Sequence, residues 1–203
     1  DADLVALADD AMGTITSIDT TAGTVTLSDG NVYFLPQNFA AIGMFKVGDK
    51  VVYPAHGVGQ IEAIRSQSIS GTQKRFYTLR ILDSDMKIMI PVDNVQSVGL
   101  RKIIDKEMVA KVYKVLRQRK VQLDQQTWNR RYREYTEKIK TGSVLEIATV
   151  LRDLFVLKGD KELSFGERKM LDTARNLLVK ELSIARSHSE EKIIEELQHI
   201  LSH

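Results

Sequence analysis

The spacing of apolar positions along the chain changes near residue 100. The first half alternates apolar and polar residues in short runs, the pattern of half-buried strands. Residues 14–19, 24–28 and 32–35 are β-branched or aromatic runs, split by Thr20-Thr21-Ala22-Gly23 and by Ser28-Asp29-Gly30-Asn31, both turn sequences. They predict a three-stranded meander, small for independent stability. A second set lies at 50–53, 60–70, 75–82 and 86–91, broken at His56-Gly57-Val58-Gly59, Gly71-Thr72 and Asp83-Ser84-Asp85. Short strands at this spacing predict a small SH3- or Tudor-like barrel. Gly57 and Gly59 read as backbone freedom in a tight turn, since no helix follows that could cradle a phosphate.

From about Asp105 the period lengthens to that of helices. Met108, Val112, Val115 and Leu116 share one face, with Lys106, Lys111 and Lys114 opposite. Thr127 is placed to cap a helix running to Lys140. Ser143…Glu146 and Ser164…Glu167 both fit the capping box, in which hydroxyl and carboxylate satisfy each other's end-of-helix amides. A last helix begins near Ser189. The fold class is thus α+β in two domains: a small SH3/Tudor-like β-barrel at 44–100, then an all-α bundle of about five helices at 101–203. Residues 1–43 add a β-meander of unknown role. The joint falls at Gly99-Leu100-Arg101, and motion between the halves is expected.

Composition narrows the class. Of 203 residues 43% are hydrophobic and 28% charged, the balance of a soluble globular protein. No apolar run nears the ~18 residues that cross a bilayer, so no membrane partner is expected and a cytoplasmic location is. Without cysteine there is neither disulfide nor thiolate metal site. The net charge of +2 conceals a split: residues 1–99 hold 7 Lys/Arg and 11 Asp/Glu, residues 100–203 hold 22 and 16. A basic half suggests a polyanionic partner, with a merely solvated helical surface as the plainer alternative.

Catalysis finds little support. There is no Walker A sequence, nucleophile elbow or His-Glu-x-x-His. His56 and His188 have no partner at ligand spacing. Glu195, His199 and His203 recur every fourth residue, but nothing closes a metal site around them. The expectation is a protein without catalytic residues, metal or cofactor. Residues 127–140 stand apart, with five Lys/Arg (Arg130, Arg131, Arg133, Lys138, Lys140), two acids and the only tryptophan, Trp128, at the helix start. Arginines there can pair with phosphates while a flat aromatic presses on or between bases; a core tryptophan among solvated arginines is the competing reading. Arg168-Lys169 forms a second cluster in the first turns of the helix capped by Ser164. Phe165 just ahead is a wedge or a hydrophobic staple. Tyr132 and Tyr135 read as packing residues.

Four stretches resemble the CarD/CdnL family of bacterial transcription regulators: Phe45-Lys46-Val47-Gly48-Asp49-Lys50-Val51-Val52-Tyr53-Pro54, Met89-Ile90-Pro91, Thr127-Trp128-Asn129-Arg130-Arg131-Tyr132, and Leu163-Ser164-Phe165-Gly166-Glu167-Arg168-Lys169-Met170-Leu171. The resemblance covers 44–203. It implies a Tudor-like domain that docks on the β subunit of RNA polymerase, partly by strand pairing, with Lys87, Met89 and Pro91 at the contact. It also implies a helical domain on promoter DNA at the upstream edge of the bubble, with weak sequence specificity. There Trp128 would wedge into the minor groove and favour the open complex. Arg130, Arg131, Arg168 and Lys169 would hold phosphates beside Phe165. The family's β-domain is shared with ATP-driven transcription–repair coupling factors, whose motor is absent from this sequence. Family members usually begin near Met44. The preceding meander, natural or fused, resembles a small uncharacterised bacterial β-domain ending in a similar Val-Gly-Asp-Lys-Val. The alternative function is a protein–protein adaptor with a solvated basic face and no DNA role.

Overall fold

The computed structural model describes residues 15–19, 24–34, 45–69, 71–118 and 128–202. Thr127, the expected cap, and His203 lie outside them. The architecture is α+β: two antiparallel sheets, then helices. Strands β1 (Ile15–Asp19), β2 (Thr24–Leu27) and β3 (Val32–Phe34) form the expected meander in the order β1-β2-β3. Asp29 makes its second turn by accepting the Asn31 N–H at 2.9 Å.

The second sheet is Tudor-like and five-stranded, built from β4 (Lys50–Tyr53), β5 (Gly57–Ile69), β6 (Thr72–Ile81), β7 (Lys87–Pro91) and β8 (Arg101–Lys102) in the order β7-β6-β5-β4-β8. Phe45, Val51, Ile61, Tyr77, Leu79 and Ile90 are buried in its core. The run around Phe45 acquires a physical role here. Phe45 meets Tyr77 edge-on at 6.0 Å, and Asp49 accepts the Lys46 N–H at 2.9 Å to turn the chain into β4. Two expectations change. Strand β5 begins at Gly57, so Gly59 belongs to the sheet and not to a turn; a Cβ there would stand 2.7 Å from a Leu79 methyl, and the neighbouring strand uses that space. The sheet also continues to Lys102, through a two-residue strand too short to leave a period.

Helices α1 (Lys106–Leu116), α2 (Trp128–Lys140), α3 (Val144–Asp160), α4 (Phe165–Arg186) and α5 (Glu190–Ser202) pack around Val112, Leu116, Leu151, Leu154, Leu178 and Leu197. The capping box at Ser164 forms in full. The one expected at Ser143 does not: its side chain caps nothing, and its backbone N–H donates instead to the Thr141 hydroxyl at 3.1 Å.

Sheet and helices are not loosely joined. Arg101 on β8 donates from Nε and Nη2 to the Gly142 carbonyl at 2.9 and 2.8 Å, and from Nη2 to buried Glu181 of α4 at 2.9 Å. Glu181 also accepts the Ile104 N–H at 3.2 Å, and Lys180 pairs with Asp83 at 2.9 Å. Gly142 sits at φ +69°, and a Cβ there would be 2.8 Å from the Pro54 ring, so the α2–α3 turn touches the β4–β5 turn only because the residue is glycine. The joint expected to flex therefore carries a charged lock, which narrows the motion open to it.

Candidate nucleic-acid and docking surfaces

Strand β7 is the outer strand of the sheet, paired on one side with β6 from Phe76↔Pro91 to Arg80↔Lys87. Alternation along it exposes Lys87 and Met89, half-buries Ile88 and buries Ile90, the face assignment expected from the two-residue period. Met89 is 47% exposed on a sheet edge, and Lys87 is held by Glu62 at 2.9 Å. Pro91 closes the strand, half-buried. An edge with free backbone groups and an apolar side chain beside them can accept a partner strand.

The second surface lies where the start of α2 meets the start of α4. Trp128 is half-buried rather than free. Its ring lies edge-to-face on Tyr132, with centroids 5.5 Å apart, and so close to Gly166 that a Cβ there would be 3.1 Å from it. Glycine inside a helix costs about 1 kcal/mol relative to alanine, and here it leaves space for the indole. Phe165 is 76% exposed, too open for a staple. Tyr135 is buried as expected, whereas Tyr132 is 48% exposed and extends the aromatic surface. Arg130, Arg133 and Lys169 are exposed and make no ion pair within the described residues. Arg168 is 54% exposed in its side chain and donates to the Leu163 carbonyl at 2.7 Å.

Arg131 departs from its neighbours. Its side chain is 13% exposed, turned inward, with Nη2 3.1 Å from Glu167 Oε1. That pair gives it a structural role beside the phosphate contact expected of it. Glu167 is the hub sequence reading missed: it accepts from the Ser164 N–H at 2.8 Å and from Lys161 at 3.0 Å as well. Burial alone would raise its carboxyl, but these donors outweigh it and hold the group at about 2, below its ordinary 4.5. The stability it contributes is then full above pH 4.5 and lost as pH falls through about 2. The unfolding free-energy difference between wild type and Glu167→Gln should be constant above pH 4.5 and shrink by a few kcal/mol towards pH 2. Chemical denaturation across that range measures it, and parallel acid loss in both proteins would contradict it.

No three His, Cys, Asp or Glu residues are placed to hold a metal among the described residues, and no described helix is long and apolar enough to cross a membrane.

A small open-edged sheet and a helical unit with an aromatic and cationic corner are joined through Arg101 and Glu181. The chain belongs to the CarD-like family of transcription factors. Residues 45–104 match the CarD-like/TRCF RID domain and 111–198 the CarD C-terminal domain. It is 36% identical over 151 residues to "Putative transcription factor YdeB" of Bacillus subtilis (strain 168), an alignment covering 74% of this chain and 97% of that protein. Among solved structures it is similar to the N-terminal domain of CdnL from Myxococcus xanthus (52% identity, 30% of this chain, 87% of that one, TM-score 0.27). It is similar also to the 72-residue N-terminal domain of Myxococcus xanthus CarD (36% identity, 29% of this chain, 77% of that one, TM-score 0.26). Residues 8–54 match a domain of unknown function, DUF1344, which overlaps the first family match by ten residues.

Proposed function

We propose that this protein regulates transcription initiation by docking the β7 edge on the β subunit of RNA polymerase and setting the α2–α4 corner on promoter DNA at the upstream edge of the bubble. One observation carries the reading: an open sheet edge and a corner of three aromatics with exposed cations stand on one body joined through Arg101 and Glu181. A partner strand along β7 gains backbone hydrogen bonds and a pocket contact for Met89. At the corner Arg130, Arg168 and Lys169 meet phosphates, while Trp128, backed by Tyr132 and Gly166, gives a firm edge against which a base step unstacks. Holding that edge open stabilises the melted promoter without any covalent step.

The test is the decay of open promoter complexes, with two variants. Trp128→Ala should shorten their lifetime several-fold while polymerase binding persists. Because the ring is half-buried, the melt should also fall, by about 1–2 kcal/mol. Met89→Asp should keep the fold and DNA affinity and lose polymerase binding. Unchanged decay with folded Trp128→Ala would remove the wedge. DNA affinity indifferent to salt would favour an adaptor surface, since phosphate contacts release counterions.

A further inference from the structure

The β5–β6 hairpin outgrows its sheet. Strand β4 leaves β5 at Gln60 and β7 leaves β6 at Phe76, but the two long strands continue as a bare pair to Ile69↔Thr72. The described residues from Ile64 to Arg75 are exposed, closed by Gly71 at φ +80° with open space around it. A register shift between Ile61 and Ala63 separates this ribbon from the packed part of the sheet, a feature that bends and twists a strand. The five steps from Ile64 to Ile69 span up to ~17 Å, more than the width of a B-DNA major groove, about 12 Å.

Its chemistry is one-sided. No acidic residue occurs between Glu62 and Asp83, in a half of the chain that is acidic overall. Arg65, Lys74 and Arg75 are exposed and make no ion pair within the described residues. Register puts Gln67 and Lys74 together on one face and Ser66 and Arg75 on the other, with Ser68 opposite Gln73. Each face thus carries positive charge among short hydroxyl and amide groups, the donors that meet phosphate oxygens and base edges. A protein-binding patch would instead need a desolvated apolar or aromatic centre. The ribbon has only Ile64 and Ile69, each under half exposed.

We infer that this ribbon is a second nucleic-acid contact, taking duplex DNA in a groove, apart from the α2–α4 corner. The inference rests on the DNA-binding reading above but uses none of its residues. It gives the protein two points of attachment on one duplex, so its grip depends on paired DNA as well as on the melted edge.

The test compares full-length wild type, the triple variant Arg65→Ala/Lys74→Ala/Arg75→Ala, the charge-keeping Arg65→Lys/Arg75→Lys, and the corner variant Arg130→Ala/Lys169→Ala. Affinity for a mixed-sequence duplex is measured against salt, and affinity for the isolated polymerase β lobe in parallel. The triple variant should flatten the salt slope by about two to three units, leave lobe affinity unchanged and melt like wild type, with the lysine variant close to wild type. A flattened slope in the triple variant alone would support the ribbon and sink the corner reading. An unchanged slope, with only the corner variant losing its own, would overturn the ribbon. So would loss of lobe affinity at constant slope, which would assign the ribbon to the polymerase.

Discussion

Glu181→Ala should lower the unfolding free energy by about 3 kcal/mol and expose the chain to trypsin at Arg101 and Lys102. Glu181 is 2% exposed and accepts both from the Arg101 guanidinium and from the Ile104 N–H. Removing it strands a cation and an amide at the seam between sheet and helices, and breaking a buried pair from one side costs roughly 3–5 kcal/mol. The lower end applies because the Arg101 side chain is 28% exposed and can turn partly to water. Its bonds to the Gly142 carbonyl survive, so the two halves should stay folded while their joint loosens. A denaturant melt gives the stability and a proteolysis time course gives the joint. A large loss of stability without new cleavage at 101–102 would mean that the remaining contacts, Arg101 and Pro54 at Gly142 and Lys180 with Asp83, hold the seam.

Glu167→Ala should be as damaging, for a different reason. The carboxylate closes the α4 capping box and balances two cations from separate elements, Lys161 ahead of α4 and Arg131 on α2. Its loss removes a cap contribution of about 1 kcal/mol and leaves Arg131 buried without that charge, for a total of roughly 3–5 kcal/mol. The base of the Trp128 ring should loosen with it, because Gly166 precedes Glu167. Arg131→Ala should destabilise through the same pair, whereas Arg130→Ala next to it should shift the melt by less than about 0.5 kcal/mol and flatten the DNA salt slope by about one unit. If both arginines changed only the salt slope, Arg131 would be a phosphate contact after all and the Glu167 pair incidental.

What could be read beforehand follows from how far each interaction reaches along the chain. Lys87 and Met89 share an exposed face because a strand's period is two, and five residues suffice to see it. The Ser164 box spans three residues and was legible; the Ser143 box was equally legible and wrong, because Thr141 competes for the same turn. Arg131 and Glu167 are 36 positions apart, Arg101 and Glu181 80, and no local spacing marks such pairs. Hence Arg131 looked like its neighbours. Trp128 is followed on α2 by Asn129, Arg130 and Arg131, so its own stretch of chain left a base-pressing ring and a core ring as rival readings. Part of its cover comes from Gly166 on another helix, a residue whose message is the side chain it lacks.

The edge at β7 has one more property. It is five residues long, ends in Pro91, which has no N–H to give, and carries Lys87 at its other end. These features discourage open-ended pairing between identical sheets. A second copy brought edge to edge would set lysine beside the same short strand and find few ladder bonds to make. An incoming strand of different sequence, carrying an acid opposite Lys87 and an apolar residue opposite Met89, meets neither obstacle. Such an edge favours a partner of different sequence over a second copy of itself.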